Sequence, residues 1–234
     1  MKKSLIIASL LAGAMGVYAQ GTLDWNAQSD WSPSFYSPDV NTPGTIFTGY
    51  SPQDIPAGTT TYTGGWIGGG ASPGPGVGAT PTSGPGGYDY TVAANFEVGL
   101  YVDTSSTLVY TDITTGTPVA TSGITDGGIS FISTVTPVPG LAAGTEVNVG
   151  LAAWYTGQGT ATSYAAAVAG QFPAGYNIST GQRALGSTTG TPVEITPGLG
   201  LTSFSLATTV PEPSTIALGI VGASAFLMRL RRKV

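Results

Sequence analysis

The sequence of 234 residues contains no cysteine and no histidine, and only 8% of its residues are charged. Without cysteine no disulfide can form, so a folded domain has to be held together by its hydrophobic core. Without histidine and cysteine, Ser-His-Asp and Cys-His catalysis lack their base, and zinc or copper sites lack their usual ligands. We therefore expect neither of these kinds of catalysis, no zinc or copper site and no cofactor, and we interpret the chain as non-enzymatic with no metal site assigned. A Ca²⁺ site built from distant aspartates and backbone carbonyls is the alternative that the composition leaves open.

Basic residues are also scarce, and six of the seven lie within the first three or the last six residues. Between residues 20 and 209 only Arg183 is basic, against eleven acidic residues, which leaves a net charge of −10. Because phosphate binding needs clustered Lys and Arg, nucleic acid is excluded as a partner. Long-range attraction to anionic lipid or to an acidic polysaccharide is disfavoured for the same reason.

The first 19 residues have the composition of a secretory signal peptide. Lys2 and Lys3 precede an uncharged, largely apolar stretch, and small residues stand at the positions that the cleaving peptidase inspects. The pattern predicts a signal helix over residues 1–19, with cleavage by signal peptidase between Ala19 and Gln20. A retained N-terminal anchor is the alternative.

The last 25 residues, 210–234, contain three unlike pieces in a fixed order. Pro211, Glu212 and Pro213 come first, an uncharged apolar run follows at residues 216–228, and four cations end the chain at Arg229, Arg231, Arg232 and Lys233. As a helix the apolar run would span about 20 Å, against a hydrocarbon core of roughly 30 Å. Because Arg and Lys stay on the cytoplasmic side and can snorkel, we expect a short transmembrane helix over residues 215–228 with a cytoplasmic basic end.

The alternative for this tail is an amphipathic helix packed on the domain, but the run is apolar all round. The order of its three pieces resembles the PEP-CTERM sorting signal of Gram-negative bacteria. That resemblance implies recognition of Pro211, Glu212 and Pro213 by an exosortase, a membrane-embedded transpeptidase-like protease. It also implies export, a transient hold in the inner membrane, and release to the envelope or to an exopolysaccharide matrix.

Residues 20–209 are long enough for one domain with a substantial core. Short β-prone segments separated by turn dipeptides predict a mainly β fold, an antiparallel β-sandwich or a jelly roll. In the strand predicted at residues 92–103, Phe96, Val98, Leu100 and Val102 share one face. The one helix predicted lies at residues 162–169. The other predicted strands are at residues 21–26, 108–113, 128–136, 146–155 and 199–207.

Residues 64–87 contain eleven glycines and four prolines, a composition that no helix or central strand tolerates. This segment is predicted to be a long flexible loop or an internal linker. Ahead of it, residues 27–63 are rich in Ser, Pro, Thr and Tyr, which indicates irregular structure on a β scaffold.

The body also resembles, on shorter motifs, a loose group of exported PEP-CTERM proteins from Verrucomicrobia-like bacteria, a group without an established activity. The matching pieces are Gln20-Gly21-Thr22, Gly99-Leu100-Tyr101, Trp154 with Tyr164-Ala165-Ala166, and Ser203-Phe204-Ser205-Leu206.

Aromatic side chains are the candidates for ligand contact. Trp31 and Trp66 lie in Ser/Pro-rich and Gly-rich segments, where burial is hard to argue, so they are the candidates for stacking on glycans. Trp25 and Trp154 lie in strand-like segments and are expected in the core. A glycosidase needs two flanking carboxyl groups, but Glu97 alternates with Phe96 and is expected to point away from the core, towards solvent.

We therefore expect an exported β protein without catalytic activity, tethered in the inner membrane and then released to the envelope or extracellular matrix. The expected partners are signal peptidase, an exosortase-type protease and the inner membrane, with an exopolysaccharide as a further candidate. The alternative is a carbohydrate-binding or polysaccharide-active module delivered by the same route.

Overall fold

The computed structural model describes residues 20–24, 33–52, 54, 56–68, 85–104, 113, 116–125, 128–129, 135–187, 193–194 and 199–208. Within these residues the chain is mainly β, with antiparallel sheets and little helix. Helix α1 spans Tyr164–Ala169. The strands are β1 (Gly21–Asp24), β2 (Phe35–Tyr36), β3 (Phe96–Asp103), β4 (Ala120–Thr125), β5 (Gly128–Ile129), β6 (Val135–Val138), β7 (Glu146–Tyr155), β8 (Ala174–Ile178), β9 (Arg183–Ala184), β10 (Gly186–Ser187), β11 (Val193–Glu194) and β12 (Phe204–Ser205).

The largest sheet is antiparallel throughout and follows the order β5-β4-β3-β7-β8, with β9 also paired to β7. Its centre is the ladder between β3 and β7, which runs for eight residue pairs from Phe96 opposite Tyr155 to Asp103 opposite Asn148. Both strands contain Val, Leu and aromatic residues, which favour β structure, and most of their side chains are buried.

Two smaller sheets join distant parts of the chain. Strand β1 is the shared partner in one of them. All four of its residues pair antiparallel with β6, its first two also pair antiparallel with β10, and its last two also pair parallel with β11. Strands β2 and β12 form a parallel pair. The predicted antiparallel arrangement is therefore confirmed for the large sheet, whereas the pairs β1–β11 and β2–β12 are parallel.

One face of the large sheet carries the main hydrophobic core. Phe96, Val98 and Leu100 of β3 are at most 1% exposed and Val102 packs beside them, so the predicted alternation is confirmed. The same cluster includes side chains from each smaller sheet, among them Leu23 of β1 and Phe204 of β12. Burying a side chain of this size contributes roughly 1.5–3 kcal/mol, so the shared cluster is a principal source of cohesion in a chain without disulfides.

The opposite face of the large sheet is covered by α1. Trp154 and Ala152 of β7 pack with Tyr164 and Ala167 of the helix in a second buried cluster. The Trp154 side chain is fully buried, and its indole N–H donates to the Ala161 carbonyl at 3.1 Å. The prediction that Trp154 is a core residue is confirmed, while Trp25 lies outside the described residues.

The predicted element boundaries agree with the structure to different degrees, and the strand predicted at residues 92–103 begins only at Phe96. The predicted strand 146–155 is confirmed at both ends, and the predicted helix 162–169 begins two residues later than expected. The segment 199–207 forms a strand only at Phe204–Ser205, because the backbone around it bonds to scattered partners, such as Phe47 and Tyr36, in place of one ladder. The segment 128–136 forms β5 and the start of β6, with residues 130–134 outside the described residues.

The predicted Gly/Pro-rich loop at residues 64–87 is only partly described. Residues 64–68 are packed into the body: Gly64 and Ile67 are buried, and Trp66 forms a β-bridge with Tyr36. These first five residues of the predicted loop form turns and an isolated bridge, and Ile67 and the backbone of Gly65 fix them to the β2 region. Residues 69–84 lie outside the described residues.

The close contact between β3 and Trp154 gives a test of the fold. A Cβ at Gly99 would lie 2.9 Å from the Trp154 ring and 3.0 Å from Pro118, whereas a Cβ at Gly123 would meet nothing within 4 Å. We expect Gly99→Ala to lower the free energy of unfolding by about 1–3 kcal/mol through overpacking. The matched Gly123→Ala should be neutral or slightly stabilising. Urea unfolding followed by tryptophan fluorescence measures both, and equal stability of the two variants would contradict the packing.

Candidate functional site

An open cleft of about 410 Å³ lies beside the helix-covered face of the large sheet. Its walls come from four separate parts of the chain: helix α1, strand β8, the loop at residues 44–46, and the end of the described chain at residues 207–208. We call it the tyrosine cleft, after its two aromatic residues. It is lined by Gly44, Thr45, Ile46, Tyr164, Val168, Ala174, Tyr176, Ala207 and Thr208.

Helix α1 forms one wall of the tyrosine cleft. The Ser163 side chain caps the helix by accepting from the Ala166 amide at 3.2 Å, and the alanine-rich sequence then favours the helical backbone. Tyr164 and Val168 are four residues apart, which places them on one side of the helix. Because Tyr164 is almost fully buried, its ring is held firmly at the back of the cleft.

Strand β8 supplies the facing wall through alternation. Ala174 and Tyr176 point to the cleft side, and the Tyr164 and Tyr176 rings meet edge to face at 5.8 Å and 83°. Ala174 and Ala207 exchange backbone hydrogen bonds of 2.9 and 3.0 Å, which ties the end of the chain to β8. Both side chains are small, so this tie leaves room for the cleft.

The loop wall of the tyrosine cleft depends on Asp39. Its carboxylate accepts hydrogen bonds from the backbone amides of Asn41 and Thr42, both at 2.8 Å, and from the Thr42 and Thr63 hydroxyls. These donors favour the ionised form, and the Thr63 hydroxyl contributes most to holding the Asp39 pKa below its usual value. After this turn the chain continues through Pro43 to residues 44–46, which line the cleft.

The tyrosine cleft is electrically neutral along its lining. None of the residues that line it within the described chain carries a charge, although residues 20–209 have a net charge of −10. The lining offers aromatic and aliphatic surface together with the hydroxyls of Thr45 and Thr208. A site of this composition suits an uncharged ligand with apolar faces and hydroxyl groups.

Trp66, one of the two predicted stacking residues, lies in a different aromatic cluster. It is half-buried, its ring meets Tyr36 edge to face at 6.5 Å, and Tyr36 stacks on Tyr62 at 3.8 Å. The buried indole nitrogen of Trp66 has no hydrogen-bond partner of good geometry among the described residues. A stacking role for Trp66 stays a prediction. Trp31 lies outside the described residues.

The Tyr36 hydroxyl is at the centre of a buried polar network. It lies 2.7 Å from the Ser51 hydroxyl and donates to Asp54 at 2.9 Å, while the Ser51 amide donates to the other carboxylate oxygen at 2.5 Å. Burial raises the Tyr36 pKa far above its usual value, although the Ser51 hydroxyl and the nearby Trp66 N–H partly oppose that rise. Burial likewise raises the pKa of Tyr62. Both phenols therefore stay protonated and act as hydrogen-bond donors.

The carboxylates do not gather into a site in the described part of the chain. Glu97 points away from the Phe96 face, as predicted, but it is half-buried opposite Trp154 in place of the full exposure expected. Glu146 is exposed at the start of β7, and Glu194 belongs to β11. Among the described residues no three acidic side chains come close enough together to hold a metal ion.

The glycosylation-type sequence Asn177-Ile178-Ser179 has a structural role. The Asn177 side-chain oxygen accepts from the Thr202 amide at 2.9 Å, and the buried Ser179 hydroxyl accepts from the Val149 amide, also at 2.9 Å. These two bonds fasten the end of β8 to its neighbours and account for both polar side chains.

The two predicted terminal segments lie outside the described residues. These are the signal helix ending at Ala19 and the tail with Pro211, Glu212 and Pro213, the helix at residues 215–228, and the basic residues Arg229, Arg231, Arg232 and Lys233. Gln20 is described and half-buried next to β1. In the described part of the chain, no helix has both the length and the apolar character that crossing a membrane requires.

Comparison of the chain with family models, with curated proteins and with solved structures gives no match.

The residues of the tyrosine cleft were not singled out from the sequence. Tyr164 falls in the predicted helix and Tyr176 in the alternating segment Ala174–Ile178, so each has a local signal. Their proximity depends on the packing of α1 against β8, which no local pattern reveals.

The Asp39 turn predicts a pH dependence of stability. The pKa of Asp39 is lower in the folded state than its ordinary value of 3.8. The ionised Asp39 carboxylate therefore stabilises the fold above pH 3.8, and this stabilisation is lost as the pH falls through the lowered pKa. We expect Asp39→Asn to flatten the dependence of unfolding free energy on pH below about pH 5. Thr63→Val, which removes one donor, should flatten it partly. An unchanged slope in both variants would overturn the assignment.

The polar network around Tyr36 gives a stability test with a matched control. Tyr36→Phe deprives the buried Asp54 carboxylate of a donor and should lower the unfolding free energy by about 1–3 kcal/mol. The Tyr155 hydroxyl makes no hydrogen bond among the described residues, so Tyr155→Phe should stay within about 0.5 kcal/mol of the original. Thermal and urea unfolding measure both, and a neutral Tyr36→Phe would show that the network contributes nothing.

Proposed function

We propose that this chain is an exported protein of the cell envelope or extracellular matrix, without catalytic activity of its own. A signal peptide directs its export, and a C-terminal sorting segment holds it in the inner membrane until an exosortase-type protease releases it. The proposal rests on the two terminal sequence patterns.

The observation that carries the proposal is the order of the C-terminal sequence, in which Pro211, Glu212 and Pro213 are followed by an uncharged apolar run and then by four cations. The buried Thr208 donates its amide to the Pro43 carbonyl at 2.7 Å and its hydroxyl to the same oxygen at 3.2 Å. Pro211 follows three residues later, a distance of at most about 10 Å along an extended chain. Every strand pair and both hydrophobic clusters described lie at or before Thr208, so cleavage at the motif would leave them intact.

The N-terminal side supports the same conclusion. The Gly21 amide donates to the Leu141 carbonyl at 2.6 Å, and β1 begins at this residue. A Cβ at Gly21 would lie 2.5 Å from the Leu185 side chain, so the strand is packed from its first residue. Cleavage between Ala19 and Gln20 would therefore remove the apolar segment and leave β1 complete.

We further propose that the body is a β-sandwich or jelly roll. The main core receives side chains from the large sheet and from both smaller sheets, as expected when sheets pack face to face. The long-range pairs β1–β6 and β2–β12 are also typical of folds whose strands cross between sheets.

The catalytic alternative has little support from composition. The whole chain contains no histidine and no cysteine, so general-base chemistry would depend on carboxylates, tyrosines or the few lysines. The proposed partners are accordingly those of delivery: signal peptidase, the inner membrane, an exosortase-type protease and an exopolysaccharide outside the cell.

Replacing Pro211, Glu212 and Pro213 by alanine tests the sorting proposal. The variant should accumulate in the inner-membrane fraction of cells that contain the protease, because the motif is the proposed recognition element. Ser83→Ala, within the glycine-rich segment of the body, serves as a control and should be released like the original. Fractionation followed by immunoblotting measures release, and unchanged release of the triple-alanine variant would contradict the role of the motif.

The mass of the released protein gives an independent check on both ends. We expect a product that begins at Gln20 and lacks Arg229, Arg231, Arg232 and Lys233. An intact chain through Val234 outside the cell, or a cytosolic form that still begins with Met1, would overturn the proposed route.

A further inference from the structure

We propose that the tyrosine cleft binds a ring of a neutral polysaccharide, with the ring stacked on Tyr176. This goes beyond the proposed delivery, which makes no use of the cleft, and it gives the carbohydrate-binding alternative a site that differs from Trp31 and Trp66.

Charge selects the class of ligand. The lining contains no Lys, Arg, Asp or Glu among the described residues, so it offers no ion pair to a phosphate, a carboxylate or an amine. Residues 20–209 carry a net charge of −10, and the field of the body disfavours an anionic polymer further. An uncharged ligand avoids both penalties.

Shape narrows the choice between uncharged ligands. Gly44 and Thr45 on the rim are exposed, so the cleft is open to solvent along one side. Sites for apolar small molecules bury most of the ligand surface, which an open cleft does not. A polymer needs such an opening, because the chain has to enter and leave on either side of the ring that is bound.

The two tyrosines supply the chemistry of a sugar platform. A pyranose ring has faces of C–H groups and a rim of hydroxyls. Its faces can therefore stack on an aromatic ring while its hydroxyls form hydrogen bonds with polar groups nearby. Tyr176 is half-buried and is braced by the perpendicular Tyr164 ring, which fixes its orientation before a ligand arrives. Thr45 is an exposed residue of the lining, and its hydroxyl is a hydrogen-bonding group available to the rim of a bound ring.

The small residues Ala174 and Ala207 keep the space open. Their reciprocal backbone hydrogen bonds fix this side of the tyrosine cleft, and their methyl groups occupy little of the cleft volume. Ala207 is half-buried in the lining, so a larger side chain there would occupy the cleft and leave the backbone bonds in place. This supplies a blocking variant that does not depend on removing an aromatic residue.

Isothermal titration calorimetry on the exported chain that begins at Gln20 and keeps its C-terminal tail, purified in detergent, tests the proposal. The probes are two neutral hexasaccharides, cellohexaose and maltohexaose, with a hexamer of mannuronic acid as the acidic counterpart and glucose as the free sugar. We expect saturable binding of at least one neutral hexasaccharide, weaker binding of glucose and no binding of the acidic hexamer. Tyr176→Ala should weaken binding about tenfold or more, and Ala207→Phe should do the same by filling the cleft.

Two control variants locate the site. Ala94→Phe places the same aromatic ring at an exposed alanine outside the cleft and should bind like the original. Trp66→Phe should also bind normally. Thermal unfolding of each variant separates loss of binding from loss of fold, and Ala207→Phe still tests the cleft if Tyr176→Ala does not fold.

Three outcomes would overturn the proposal. These are no saturable binding of either neutral hexasaccharide, full binding by Ala207→Phe, or loss of binding in Trp66→Phe with Tyr176→Ala unaffected. The third result would assign glycan binding to Trp66. None of these results bears on the proposed delivery. A protein that is released normally but binds no glycan would contradict only the proposal that the tyrosine cleft binds a polysaccharide.

Discussion

The ladder between β3 and β7 is the constraint on which the rest of the described fold depends. Its eight residue pairs present Val98 and Leu100 to one hydrophobic cluster and Trp154 to the other. Gly99 lets the Trp154 ring lie directly against β3. Because the chain has no cysteine, no covalent link can replace these contacts, and any change that shifts the register by one residue would exchange the two faces.

Long-range contacts between single residues or short strands connect the remaining segments of the described fold. The pair β2–β12, the bridge between Ala174 and Ala207, and the bonds from Thr208 to Pro43 each join residues far apart in the chain. The tyrosine cleft exists only where these contacts converge, since its four walls come from separate segments. Its geometry is therefore a property of the closed fold, and a ligand that contacts all four walls would stabilise that fold.

The sequence predicts the regular parts of this molecule and misses the irregular ones, for physical reasons. The burial of Phe96, Val98 and Leu100 follows from alternation, strand β7 follows from its run of β-prone residues, and helix α1 follows from its alanine-rich segment. Strands β4 and β8 contain glycine and alanine, which have low β propensity, so their pairing comes from neighbours and not from local preference. The burial of Ile67 was missed because the glycines around it suggest a loop, although here they allow close packing against β2. The cleft is a tertiary feature and has no local signal.

The position of β1 connects the fold to the proposed export. This strand would be the first part of the body to follow the predicted signal peptide, yet it pairs with β6, β10 and β11, and the last of these ends at Glu194. If the chain crosses the membrane from its N-terminus, β1 therefore remains incomplete until almost the whole body has been translocated. The remaining contacts, through Phe204 and Thr208, become available only a few residues before Pro211. A C-terminal hold in the membrane would then keep the body at the outer surface during the short interval in which these late contacts form, and release would follow the completion of the fold.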